Sequence, residues 1–140
     1  MNPPSWVLDT NVIVSGLLVA GGFSGRLVEA VLTARLRLSY DDRIEAEYRE
    51  VLARPRFAIS RERREAFLAE LKNQDAVVVV RPWSDAMLPD LDDLSFLEVA
   101  RLTTERTLVT GNLRHFPSSV CGPVVVLTPR QAWDRLNDQV

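Results

Sequence analysis

The chain has one cysteine, Cys121, one histidine, His115, and one lysine, Lys72. A lone cysteine builds no disulfide framework, and this usage suits a reducing compartment. One cysteine with one histidine also excludes a zinc site of the Cys/His type. No uncharged apolar run approaches the roughly 18 residues of a membrane span, so no membrane association is expected. The opening segment Met1-Asn2-Pro3-Pro4-Ser5-Trp6 carries no basic residue, and Asp9, Thr10 and Asn11 interrupt the apolar stretch behind it. That is not the pattern of a secretory signal, and a cytoplasmic protein is expected. Net charge is lacking too, at a formal −2. Global attraction to a polyanion is therefore weak, and nucleic-acid contact has to come from local patches or cations. Arginine carries nearly all the positive charge. Genomic base composition accounts for that bias, although guanidinium groups also match phosphates bidentately.

What is present is globular. Hydrophobic residues make up 46% of 140, enough for one self-sufficient core, and a single domain over 1–140 is expected. No repeat, low-complexity tract or long linker divides it. Trp6-Val7-Leu8 reads as a buried strand ending on Asp9. Ile13, Leu17 and Leu18 follow at helical spacing until Gly21-Gly22. Ser24 is placed to cap a second helix reaching about Ala34, and 36–40 reads as a strand. Asp41 or Asp42 caps a third helix, whose stripe is Ile44, Tyr48, Val51 and Leu52. Ser60 caps a fourth, with Phe67, Leu68 and Leu71 on its apolar face. The valine-rich run 76–80 has the pattern of a central parallel strand buried on both faces, and 82–89 reads as a loop. Asp92 or Asp93 caps a fifth helix; 107–110 and 124–127 are strands, and Thr128-Pro129 opens a last helix. This alternation implies an α/β sandwich with a mostly parallel sheet. The strands ending at Asp9, near Val80 and at Thr110 are expected as neighbours.

Three carboxylates fall where such folds place sites. Asp9 stands at the carboxyl end of the first strand, the edge where open parallel sheets bind ligands, although an Asp there can also cap the next helix. Glu47 flanks the stripe of the third helix, whereas Glu50 lies further round towards solvent. Asp93 precedes Phe96 by three residues and Leu97 by four, which puts it on the buried side. Two such groups about 4 Å apart repel by roughly 4 kcal/mol at an effective dielectric of about 20. Ionised, they need a compensating cation, and oxygen donors favour Mg2+ or Mn2+ over zinc.

Here the residues resemble a family. Leu8-Asp9-Thr10-Asn11-Val12 resembles the opening of PIN domains, including toxins of the VapC type. Glu47-Tyr48-Arg49-Glu50-Val51-Leu52-Ala53-Arg54-Pro55 resembles the second acidic helix of the toxin-like branch. Asp90-Leu91-Asp92-Asp93-Leu94-Ser95-Phe96-Leu97 resembles the third acidic motif, and Leu108-Val109-Thr110-Gly111-Asn112 the fourth. The resemblance implies a PIN-like α/β/α sandwich and a metal-dependent endoribonuclease. Asp9 and Asp93 would ligate Mg2+ or Mn2+, Glu47 would be the second acid, and Thr10 and Thr110 would orient the site. Asn112 stands where many members have Asp, which removes one charge and leaves an amide to orient water or phosphate. A small antitoxin and a homodimer are the implied protein partners, and RNA the substrate. Leu17, Leu18 and Phe23 are candidates for that contact face.

Other readings predict different residues. A haloacid-dehalogenase-like phosphatase needs an Asp where Asn11 stands. A response-regulator receiver needs a lysine at a late strand end, and Lys72 lies in a predicted helix. A non-catalytic RNA- or protein-binding module with a decayed site is compatible with Asn112, and metal-dependent RNA cleavage separates it from a nuclease. Arg54, Arg56, Arg61, Arg63 and Arg64 form either a solvated face or a phosphate patch. His115 is expected to pack rather than touch substrate.

Overall fold

A computed structural model describes residues 2–79 and 88–138. Val80 and most of the expected loop over 82–89 lie outside them. The strands are β1 (Ser5–Leu8), β2 (Arg37–Tyr40), β3 (Asp75–Ala76), β4 (Thr107–Val109) and β5 (Val125–Leu127). They pair in parallel in the order β3-β2-β1-β4-β5. The helices are α1 (Thr10–Leu18), α2 (Phe23–Leu32), α3 (Asp42–Leu52), α4 (Arg61–Glu70), α5 (Leu94–Leu102) and α6 (Pro129–Asp138). The architecture is thus the expected α/β one, a parallel sheet flanked by helices.

Burial explains the order. Trp6, Val7 and Leu8 are all fully buried, as are Thr107, Leu108 and Val109. Successive strand side chains point to opposite faces, so β1 and β4 are covered on both. α5 lies across β1, β2 and β4, while α2 packs on α1 and α6. No single helix among the described residues is long and apolar enough to cross a membrane.

The corner between α1 and α2 is tight. The helices meet at 95°. A Cβ on Gly16 would stand 2.5 Å from Val28 Cγ2 and 2.8 Å from the Ser24 carbonyl, and one on Gly25 2.4 Å from the carbonyls of Val19 and Ala20. Only glycine permits that backbone approach. Leu17 is buried in this corner, which corrects its expected place on a contact face; Leu18, Val19 and Phe23 are exposed.

The caps follow sequence chemistry at α3, α4 and α6 but not at α2 or at α5, where Asp93 stands in the cap position without a side-chain cap bond. Asp41 accepts from the Ile44 amide at 3.0 Å, and Ser60 from the Arg63 amide at 3.2 Å. Thr128 and Gln131 cap α6 reciprocally, at 3.2 and 2.9 Å. Ser24 is not a cap: α2 starts one residue earlier, at Phe23, with Gly22 in the cap position. Arg43, at the start of α3, pairs with two buried acids, Asp41 and Glu98, each at 2.7 Å.

The valine-rich run is a second correction. β3 is a two-residue strand on the sheet edge, not a central one, and it neighbours β2 rather than β1. One further bond, from the Val77 amide to the Tyr40 carbonyl at 2.8 Å, ends the pairing, and Val78 is 81% exposed. Polar side chains tie the short strand to its neighbours: Asp75 accepts from Arg37 Nε on β2 at 3.0 Å and from Ser5 Oγ on β1 at 2.7 Å.

Candidate active site

β1 delivers Asp9 to the carboxyl edge of the sheet, where its amide still bonds the Val109 carbonyl at 2.8 Å. Asp9 occupies the cap position of α1, but its side chain makes no cap hydrogen bond. Its Oδ2 instead accepts from Thr110 Oγ1 at 2.7 Å and from Asn11 Nδ2 at 3.1 Å. Asn11 in turn accepts from the Gly111 amide at 3.0 Å, and Thr110 Oγ1 from the Asn112 amide at 3.1 Å. The ends of β1 and β4 are therefore laced together around one carboxylate.

α3 brings the second acid. Tyr48 is fully buried and its hydroxyl donates to the Leu8 carbonyl at 2.5 Å, fixing the helix against the end of β1. The neighbouring residue, Glu47, is half-buried and accepts a hydrogen bond from Thr10 Oγ1. Glu50 turns away, exposed, and binds Arg54 at 2.8 Å. The helix-face reasoning that chose Glu47 over Glu50 agrees with this placement.

Asp93 ends the short 3-10 turn Leu91–Asp93 before α5. Asp90 caps that turn by accepting from the Asp92 amide at 2.9 Å, so Asp93 is not consumed as a cap. It is 9% exposed, and its buried Oδ2 has no hydrogen-bond partner. His115 Nδ1 stands 2.9 Å from that oxygen, within ion-pair range but without hydrogen-bond alignment.

The three acids share one electrostatic neighbourhood. Burial, then the charge of Asp9, raises the Asp93 carboxyl to about 6; Asp90 and Glu47 add to the rise and His115 opposes it. Burial also raises Asp9, against the hydrogen bond from Thr110 and the pull of His115. Glu47 is raised by burial, against the Thr10 hydrogen bond, with Asp9 and Asp92 pushing it further. Among the described residues no arginine or lysine pairs with any of the three.

Sequence reasoning missed two residues here. Asn11, two places after Asp9, bridges it to the β4 loop; its position in the first turn of α1 was the available signal. His115 was expected to pack, yet it is 42% exposed and meets Asp93, while the adjacent Phe116 does the packing. Asn112 contributes its main-chain amide, and no hydrogen bond of its side chain is found among the described residues. The arginine group is partly engaged: Arg54 with Glu50, Arg56 over the Phe57 ring, Arg63 towards the Gly16 carbonyl at 3.5 Å.

Comparison with protein-family models matches the PIN domain over residues 5–114. No curated protein and no solved structure matches the chain. PIN domains make up a nuclease superfamily and typically use divalent metal ions. Matched from the first residue of β1 into the turn that carries His115, the chain belongs to the PIN-domain family.

Proposed function

We propose that the chain is a metal-dependent endoribonuclease that hydrolyses RNA phosphodiester bonds, and the toxin of a toxin–antitoxin pair. The observation that carries the nuclease reading is the uncompensated acid cluster, above all the orphaned, buried Oδ2 of Asp93. A buried carboxylate oxygen without a partner is costly unless a cation meets it. Among the described residues no three acidic, histidine or cysteine side chains form a ready-made metal-holding group. A hydrated ion does not require one: Mg2+ keeps most of its waters and takes one or two carboxylates plus substrate phosphate oxygens. The donor chemistry therefore fits a divalent cation of the Mg2+ or Mn2+ class, with Asp9 and Asp93 as its holders.

Bound there, such an ion supplies charge for the phosphodiester and lowers the pKa of a water. The chain's own residues do the rest. Thr110 and Asn11 fix the Asp9 carboxylate through Oδ2. Thr10 fixes Glu47 through Oε2, and the raised pKa of Glu47 suits it to accept a proton from the attacking water. Asn112, held by its main chain beside Thr110, orients a water or a phosphate oxygen with its amide.

The toxin assignment rests on the resemblance of the segments around Glu47 and Asp93 to the toxin-like branch. A cytoplasmic setting suits the free, buried Cys121. The exposed Leu18, Val19 and Phe23 line a groove of about 450 Å3 with Thr128, Pro129 and Arg130, a candidate face for an antitoxin or a second copy. Asn112 in place of an acid favours one alternative, a non-catalytic RNA- or protein-binding module. Incubating the pure protein with mixed RNAs in Mg2+, Mn2+ or chelator tests the choice. Cleavage that chelator stops and Asp93→Asn removes supports the nuclease; RNA left intact in both metals refutes it.

A further inference from the structure

The contact between His115 and Asp93 has the wrong shape for a salt bridge. An imidazolium that serves a carboxylate points its N–H at the oxygen, because such charge-assisted bonds are strongest when straight. Here Nδ1 and Oδ2 stand 2.9 Å apart without that alignment, and the oxygen is left unsatisfied in a residue only 9% exposed. Another relation has this separation and needs no such alignment. Two donors bound side by side on one six-coordinate ion, each about 2.1 Å from it, stand about 3 Å apart. Their lone pairs then converge ahead of the line that joins them rather than along it.

The placement of His115 supports the same relation. Its amide closes the turn Leu113–His115 onto the Asn112 carbonyl at 3.2 Å, and the buried Phe116 anchors the next position. Asn112 is itself tied to Thr110, which holds Asp9. The imidazole is therefore mounted on the loop that orders the acid cluster. It is also accessible enough for a hydrated ion to reach it.

We propose that His115 is a metal ligand, joining Asp93 to give the site a nitrogen donor. This rests on the reading of Asp93 as a ligand given above. A mixed nitrogen and carboxylate pair changes the preferred ion. Mg2+ gains little from imidazole, whereas affinity across the transition series rises from Mn2+ onward at nitrogen sites. The site is thus selective for a transition-series divalent cation, and Mg2+ is the weaker occupant.

The single histidine makes the test unambiguous. Tag-free, full-length protein is freed of metal and titrated with Mn2+, and electron spin-echo spectroscopy looks for a directly bonded nitrogen. The expected result is imidazole nitrogen coupling in the wild type and none in His115→Ala or His115→Asn. Calorimetry should show Mn2+ binding weakened roughly tenfold or more in both variants, and Mg2+ binding weakened less. Bound Mn2+ without nitrogen coupling overturns the proposal, as does unchanged Mn2+ affinity in both variants. RNA cleavage in Mn2+ without nitrogen coupling sinks this inference and leaves the nuclease reading standing. Nitrogen coupling without cleavage does the reverse.

Discussion

The protein buries acids in two places and treats them differently. At the junction of α3 and α5, Asp41 and Glu98 share the guanidinium of Arg43, and Asp41 also caps its helix. At the carboxyl edge of the sheet, Asp9, Glu47 and Asp93 have hydroxyls, an amide and a misaligned imidazole, but no arginine among the described residues. The first arrangement is complete within the chain, and removing a partner there breaks it. The second stores mutual repulsion, which a structural role has no reason to retain. A sequence that neutralises one buried pair with arginine can neutralise another. Under the proposed function, the three acids without an arginine among the described residues await an ion from outside.

The largest expected effect lies at the open cluster. Asp9→Asn and Asp93→Asn should each lower RNA cleavage at least about a hundredfold, measured at saturating Mn2+. Circular dichroism should show both variants folded. Next comes the closed cluster: Arg43→Met should lose about 2–3 kcal/mol in urea melts, since two buried acids lose a shared cation while Arg43 itself is half-exposed. Equal stability in that variant would erase the contrast between the two regions.

Asp93→Asn should move stability the other way, by about 2 kcal/mol upwards in chelator at neutral pH. Its carboxyl sits at about 6 in the folded chain against an ordinary 3.8, so the folded state binds that proton more tightly. Its contribution therefore lowers stability as pH rises from about 4 to about 6, and the full penalty is present above 6. Melting temperatures in chelator should show that fall for the wild type, and Asp93→Asn should lack this share of it. Metal-dependent cleavage should run opposite, falling as pH drops because protons compete with the cation for Asp93, with its midpoint below the metal-free value of about 6. The smallest contrasts test single charges. Asn112→Asp should tighten Mn2+ binding several-fold and Asn112→Ala should slow cleavage without abolishing it, whereas Glu50→Gln, exposed and paired with Arg54, should match the wild type.

Much of this was legible in the chain because periodicity encodes which side chains share a face. Ile44, Tyr48 and Leu52 are buried as their spacing requires, which fixes where Glu47 points. The same logic placed Asp93 on the inner side of α5, ahead of Phe96 and Leu97. What periodicity does not encode is who covers a face. The valine run has the composition of a central strand, yet its place depends on whether a partner lies beyond β3, and none does among the described residues. Leu17 follows Ile13 by one helical turn and is buried with it, whereas its neighbour Leu18 is exposed. Asn11 and His115 escaped for a related reason: their partners lie 100 and 22 residues away, and no local pattern announces them.

Gly16 and Gly25 give the molecule an uneven capacity for change. A descendant that lost Asp93 would give up an ionised group the fold does not need, and by the reasoning above would gain stability. A descendant that lost Gly16 would have to force a methyl group against Val28 and the Ser24 carbonyl, and the first helix would lift away from the second. Chemistry is thus the more expendable inheritance here and the helix corner the less. A catalytically silent cousin of this protein should still carry both glycines long after its acids have drifted.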